Sequence, residues 1–350
     1  MSRKAASTFV LAVALLASSG AQARELATLQ RVDAASVQLT REDASPVSVW
    51  LSEDTVLDKA DRQVATKFAE QTMTIPLSAS ERRYVILKGK SGKTTVVAER
   101  RLPLEQASNF RDVGGYVTKD GKTVRWGKAF RSGAMPLLTE ADYAQIGGLG
   151  LDAVVDLRSL EERQLTADVV DDRTGALFIA NDYSMRTLFA GMQQPGGENM
   201  YKGMEVLLVP QLRSLYRRIM AQEGAVLYHC SAGQDRTGIA TALLYDFLGV
   251  DRETIIKDYH LSTEWRDPRW EMPKFDPKDF ADNPIVKMYA SMPADQRGKA
   301  NPLYTPSGQS HLAQFFVHLD ATYGGSEGYM RQKLGFTDDQ LAKLRAAMLD

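Results

Sequence analysis

The chain has 350 residues, 44% of them hydrophobic and 25% charged, and a formal net charge of -1 at pH 7. That composition belongs to globular proteins and leaves room for one large domain or two smaller ones. The near balance of 43 basic and 44 acidic residues argues against general nucleic-acid binding or adsorption to a membrane surface, so any attraction for an anion must come from a local site.

Residues 1–23 read as an export signal. Arg3 and Lys4 give a basic start, residues 9–17 an apolar run, and Ala21 and Ala23 a small-residue cleavage site. The run is too short to cross a bilayer comfortably, so no stable membrane insertion is expected after cleavage. The mature protein is expected in a bacterial periplasm or outside the cell. Cys230 is the single cysteine. In an oxidising compartment it has no internal disulfide partner, so it is either buried and inert or kept free for chemistry.

Residues 24–103 are β-rich. The stretches 46–52, 71–77, 82–89 and 93–100 alternate apolar and polar residues between turn formers, which predicts short strands. Their spacing suggests a small fibronectin- or immunoglobulin-like sandwich, an accessory domain without a catalytic constellation.

From residue 104 to 350 the pattern changes to alternating strands and helices. Apolar runs at 151–158, 176–181 and 224–230 predict buried strands. Thr139 and Asp142 form a capping-box-like start for a helix. Met204, Leu208, Leu212, Leu215 and Ile219 lie on one helical stripe, with Pro210 as a kink or break. Residues 238–250 are nearly all apolar and predict a central buried helix. Residues 266–310 are rich in proline, charge and aromatics and predict an irregular segment. Helices at 311–324 and 337–349 close the chain, the second opened by Thr337 and Gln340 as a capping box. The fold class is therefore α/β, with a mostly parallel central sheet flanked by helices and preceded by the β-rich region.

Between the third buried strand and the apolar helix lies "HCSAGQDRTG", His229 to Gly238. A thiolate is a nucleophile and a thiol a poor one. The small residues after Cys230 let the chain curl and point its amides inward, while the helix beginning near Arg236 aims its positive end at the same place. The result is a nest for a tetrahedral anion such as phosphate, lined by Ser231, Ala232, Gly233 and Gln234. Arg236 can grip two phosphate oxygens with its guanidinium fork. Cys230 would attack phosphorus and form a cysteinyl-phosphate that water hydrolyses. Thr237 can donate to the sulfur when it leaves, and His229 can hold the loop's geometry from behind. No cluster at metal-ligand spacing is apparent among four histidines and one cysteine, and no cofactor is expected.

The decapeptide resembles the signature of cysteine-dependent protein tyrosine phosphatases. Residues 107–116 ("ASNFRDVGGY"), 127–143, 154–163 and the segment 323–345 are similar to the secreted bacterial tyrosine/serine phosphatases, some of which also act on phosphoinositides. The resemblance runs from about residue 104 to the C-terminus and does not reach the β-rich region. It implies a cysteine-phosphatase-like catalytic domain, and it makes Asp235, inside the loop, a candidate general acid. Repulsion from a bound phosphate would favour the protonated carboxyl there. Asp182, just after a strand, is the alternative acid. Asn109, Arg111 and Asp112 are expected to brace the loop, with Arg111 as a direct substrate contact the rival view. Arg131 and Arg158 are expected in buried ion pairs supporting the site. Relatives that act on phosphoinositides often carry lysine where this chain has Gln234, which favours phosphotyrosine.

The expected function is that of a protein tyrosine phosphatase, with dual specificity in view, hydrolysing phosphomonoesters in a phosphorylated protein or small molecule, most of all phosphotyrosine. The alternatives are a phosphoinositide or inositol-phosphate phosphatase and a phosphate-recognition module without turnover. A rim for the former would come from Arg266, Arg269, Trp270, Lys274, Lys278 and Lys287.

Overall fold

The computed structural model describes residues 25–186, 200–293, 298–300 and 302–350; the proposed export signal lies outside them. The β-rich region forms two antiparallel sheets. One has the order β1 (Ala27–Asp33), β2 (Ser36–Arg41), β5 (Thr72–Pro76), and the other β4 (Arg62–Phe68), β3 (Val47–Ser52), β6 (Tyr84–Gly89), β7 (Thr94–Ala98). Leu29, Val37, Leu39 and Ile75 of the first sheet share one buried cluster with Val49, Val85, Leu87 and Val97 of the second. Four of these strands match the sequence reading. β1, β2 and β4 were not foreseen, because β4 buries only Phe68 fully and β1 only Leu29, which leaves little apolar alternation to detect.

The second region is built on a five-stranded sheet in the order β11 (Leu177–Ala180), β10 (Leu151–Asp156), β12 (Ala225–His229), β9 (Ala129–Ser132), β8 (Arg111–Asp112). The first four strands are mutually parallel and β8 is antiparallel to β9. Every residue of β12 is buried, as a central strand covered on both faces requires. The Asp235–Leu248 helix that follows it is buried almost all round. It joins one large core with Leu212, Leu215 and Tyr216 of the Val209–Ala221 helix and Leu341, Leu344 and Met348 of the last. Among the described residues no helix is long and apolar enough to cross a membrane.

The local signals held where they named a mechanism. Thr139 and Thr337 each close a capping box on the helices Glu140–Gly147 and Asp338–Met348. The stripe around Pro210 breaks into Met204–Leu207 and Val209–Ala221, with the proline in the second helix's first turn. One expectation needs correction. The segment 266–310 is not irregular throughout: it carries short turns of helix at Pro268–Trp270 and Pro277–Phe280 and a helix at Pro284–Ser291, each with proline in its first turn and a capping Asp or Asn before it. A helix at Arg252–Trp265, opened by Asp251, was also missed, because its apolar residues are too sparse to show a stripe.

Candidate active site

The parallel strands β9, β10, β11 and β12 all end on one side of the sheet, and the loops that leave them meet there, at the carboxyl edge where ligands bind in open α/β sheets. β12 ends at His229 and delivers Cys230, which is 1% exposed. The chain then turns through residues 231–234 into the Asp235–Leu248 helix. Gly233 has φ +66°, and a Cβ placed on it would come 2.6 Å from the Ser132 carbonyl oxygen and 2.7 Å from the Gly133 amide nitrogen. Only glycine fits a positive φ against backbone at that distance. Gly233→Ala is expected to lose at least about 1–2 kcal/mol of stability and most activity; a variant with unchanged melting temperature and near-normal turnover would contradict this.

Three braces hold the loop from behind. Asn109 Nδ2 donates to the Ala232 carbonyl (3.3 Å) and the Gly233 carbonyl (2.9 Å), and Arg131 Nη2 donates to the latter at 2.8 Å. The Ala134 amide donates to the Ser231 carbonyl at 2.9 Å. With those carbonyls turned outward, the amides of Ser231, Ala232, Gly233, Asp235 and Arg236 donate to no protein group among the described residues, which leaves them for an anion.

Arg111 Nη1 donates to Asn109 Oδ1, and its Nη2 to Ser262 Oγ at 3.0 Å and to Asp258. It is fully buried and its side chain supports Asn109. Asp258 also pairs with Arg131 at 3.3 Å. Burial pushes the Asp258 carboxyl up, but the facing Arg111, Arg131 and Arg100 outweigh it and hold it below its ordinary value. Asp112 does not brace the loop, contrary to the sequence reading. On β8 its side chain faces away from that of Arg111, accepting from the amides of Gly114 (2.8 Å) and Gly127 (2.9 Å) and pairing at 2.7 Å with Arg82 of the β-rich region.

Arg236 shows how the guanidinium is aimed. Glu162 takes it end-on, Nη1 to Oε2 and Nη2 to Oε1, both at 2.6 Å. Nη1 also donates to the Tyr183 hydroxyl at 2.7 Å. Of five N–H groups, these leave Nε–H and the second Nη2–H, which lie along one edge and match two oxygens of a phosphate. Burial alone would lower the Arg236 value, but Glu162, Tyr183 and Cys230 hold it well above the ordinary one. Burial pushes Glu162 up, and Arg236 overcomes it, leaving that carboxyl at about 2. Burial raises the Tyr183 phenol to about 12, so it stays neutral. Glu162 also accepts from Ser231 Oγ. Neither Glu162 nor Tyr183 was singled out from sequence.

Behind the cysteine, His229 Nδ1 lies 3.3 Å from the Cys230 carbonyl oxygen and Nε2 lies 3.3 Å from Asp168 Oδ2. Asp156, Asp168 and His229 together form a cluster of metal-ligand type that spacing did not reveal. The Arg158 guanidinium already pairs with both carboxylates, at 2.8 Å and 3.1 Å, and supplies the positive charge there. The Thr237 hydroxyl is buried and has no hydrogen-bond partner among the described residues.

Asp235 is partly exposed at the loop mouth and accepts from the Tyr201 hydroxyl at 2.5 Å. Asp182 sits elsewhere: its side chain is 71% exposed and paired with Arg163. Gln234 is buried, its Oε1 accepting from Arg266 Nη1 at 2.8 Å. Arg266 in turn holds Glu271 at 2.8 Å. Of the rim residues expected from 266–310, Arg266 is the one whose side chain bonds to the loop among the described residues. Arg269 pairs with Asp267 and Lys287 with Asp282, both exposed, and Lys274 and Lys278 face solvent.

Residues 102–350 match the family model described as "Tyrosine phosphatase family". The chain is 27% identical over 225 residues to a tyrosine-protein phosphatase of Nostoc commune, covering 62% of this chain and 73% of that protein. It is also 27% identical over 291 residues to a triple specificity protein phosphatase of Mycobacterium tuberculosis, covering 72% of this chain and 100% of that one.

Proposed function

Since the chain belongs to the tyrosine phosphatase family, we propose that it hydrolyses phosphotyrosine in proteins through a cysteinyl-phosphate on Cys230, with Asp235 as general acid. It is a phosphoric monoester hydrolase of the tyrosine-phosphatase type, and its substrates are phosphorylated; that sets aside a recognition module without turnover. The observation that carries the mechanism is the Arg236 side chain. Glu162 holds one end of it and leaves its Nε–Nη2 edge open, beside a loop of outward carbonyls that begins with the sole cysteine.

In this reading the phosphate of the ester sits on the loop amides and the open Arg236 edge. These donors stabilise the charge that builds on the equatorial oxygens in the transition state. The Cys230 Sγ–P bond forms as the P–O bond breaks, and the leaving oxygen takes the proton of Asp235. Water then attacks phosphorus, Asp235 recovers a proton, and the thiolate leaves. The Asp235 position supports its role over that of Asp182, whose carboxylate is paired with Arg163 at the surface. Vanadate is expected to inhibit and chelators are not; activity that vanishes with EDTA and returns with a divalent metal would overturn the mechanism.

One observation favours a second substrate class. Arg266 places a cation beside Gln234, and the mycobacterial relative is named for triple specificity. A lysine at 234 would add positive charge next to that guanidinium. Gln234→Lys is therefore expected to raise phosphoinositide hydrolysis several-fold relative to phosphotyrosine peptides, and an unchanged ratio would count against it. The sequence of residues 1–23 supports an exported enzyme of the secreted bacterial type. The two packed sheets support a sandwich-like accessory domain before the catalytic one.

A further inference from the structure

Asp235 does not stand alone at the loop mouth. Its Oδ1 accepts from the Tyr201 hydroxyl at 2.5 Å, and that hydroxyl lies 2.5 Å from the hydroxyl of Tyr259. Each phenol has one proton. Tyr201 gives its own to the carboxyl oxygen, so it accepts from Tyr259, and the chain runs in one direction, Tyr259 to Tyr201 to Asp235. Both tyrosines are 1% exposed. The Tyr201 ring is fixed edge-on against Tyr259 at 6.3 Å and Phe315 at 6.4 Å. The Tyr259 ring lies over Gly238, where a Cβ would come within 3.0 Å of it. The glycine that closes "DRTG" thus makes room for the ring behind the pair. Burial pushes both phenols well above the ordinary tyrosine value, so they remain protonated donors.

We propose that Tyr201, backed by Tyr259, is a positioning residue that decides which oxygen of Asp235 carries the transferable proton. This rests on the assignment of Asp235 as general acid. A carboxylic acid has two oxygens and one proton. The oxygen that accepts from Tyr201 is held as the carbonyl, so the proton resides on Oδ2. In the first step the Oδ2 proton passes to the ester oxygen as the P–O bond breaks and the Sγ–P bond forms, leaving a carboxylate. In the second step Oδ2 takes a proton from the attacking water as its oxygen bonds to phosphorus and the Sγ–P bond breaks, restoring thiolate and acid. Tyr201 keeps its own proton throughout. It also fixes the carboxyl rotamer, which a partly exposed side chain would otherwise sample freely.

The test compares kcat/KM on two esters: phenyl phosphate, whose leaving oxygen needs a proton, and dinitrophenyl phosphate, whose leaving group needs none. Tyr201→Phe is expected to lower the first about tenfold and leave the second within about twofold. Tyr259→Phe should show the same selectivity, with a smaller loss on phenyl phosphate and dinitrophenyl phosphate unchanged. Asp235→Asn, measured alongside, is expected to lose on the order of 10²-fold or more on phenyl phosphate only. An equal loss on both esters in Tyr201→Phe, or no loss, overturns the positioning role while leaving the acid assignment standing. An equal loss on both in Asp235→Asn overturns the acid assignment itself. Should Tyr201→Phe fail to fold, Tyr259→Phe decides: a loss confined to phenyl phosphate supports the proposal, and any other result overturns it.

Discussion

Cys230→Ser is expected to lower kcat by on the order of 10⁴-fold or more while the protein stays folded and still holds a phosphotyrosine peptide. The exchange replaces one atom at a site that is 1% exposed, so packing changes little. What disappears is the sulfur, a far better nucleophile than a hydroxyl oxygen. A serine hydroxyl at the same place needs a base, and the neighbouring His229, at the end of β12, does not supply it: its nitrogens lie toward the Cys230 carbonyl and Asp168. The binding donors are untouched, because Asn109 and Arg131 still hold the loop carbonyls and Glu162 still aims Arg236. Single-turnover kinetics and calorimetry with a phosphopeptide separate the two outcomes. Turnover within about tenfold of the wild type would remove the cysteinyl-phosphate from the mechanism.

Glu162→Ala is expected to cost both stability and rate. It leaves the Arg236 guanidinium, 11% exposed as a side chain, without its counter-ion, and breaking a buried pair from one side costs about 3–5 kcal/mol. It also frees the end of the guanidinium that fixes the direction of its open edge, so kcat is expected to fall by about 10²–10³-fold. Denaturant unfolding and steady-state kinetics check the two parts separately. The pair has a pH signature as well. Glu162 sits at about 2 in the folded protein against an ordinary 4.5. A lowered folded value means that its stabilisation is fully present above 4.5 and is lost as pH falls from there toward 2. In Glu162→Gln that component of acid destabilisation should be absent, so its unfolding free energy should fall less steeply across the window. Parallel profiles for the two proteins would show that the pair does not carry the stability assigned to it.

The part of the site that could be read from sequence is the part that is contiguous. Cys230 to Gly238 form one turn between a strand and a helix, and the need for small residues, an anion nest and a fork falls on neighbouring positions. Glu162, Tyr183, Tyr201 and Tyr259 reach that turn from four other segments, and no spacing links them to it. Glu162 did leave a trace: with Ser159 it makes a capping box on the Leu160–Leu165 helix. That trace marks a helix start and says nothing of an arginine across the site. Asp112 illustrates a different failure. In "NFRD" it stands beside Arg111, and adjacency suggested a shared task. A strand sends neighbouring side chains to opposite faces, so Asn109 and Arg111 serve the loop while Asp112 serves the other region. The fold was clearest where apolar runs were continuous, at β10 and β12, and faintest at thin-cored strands such as β1 and β4.

The Arg82–Asp112 pair means that the β-rich half is not a detachable ornament. Asp112 is fully buried, and burial pushes its carboxyl up despite Arg82. A chain cut free of its first hundred residues would keep that anion inside the protein with two amides and no guanidinium, one residue along the backbone from the arginine that steadies Asn109. Loss of the β-rich half would thereby reach the Cys230 loop through a single short strand, by way of Asp112, Arg111 and Asn109.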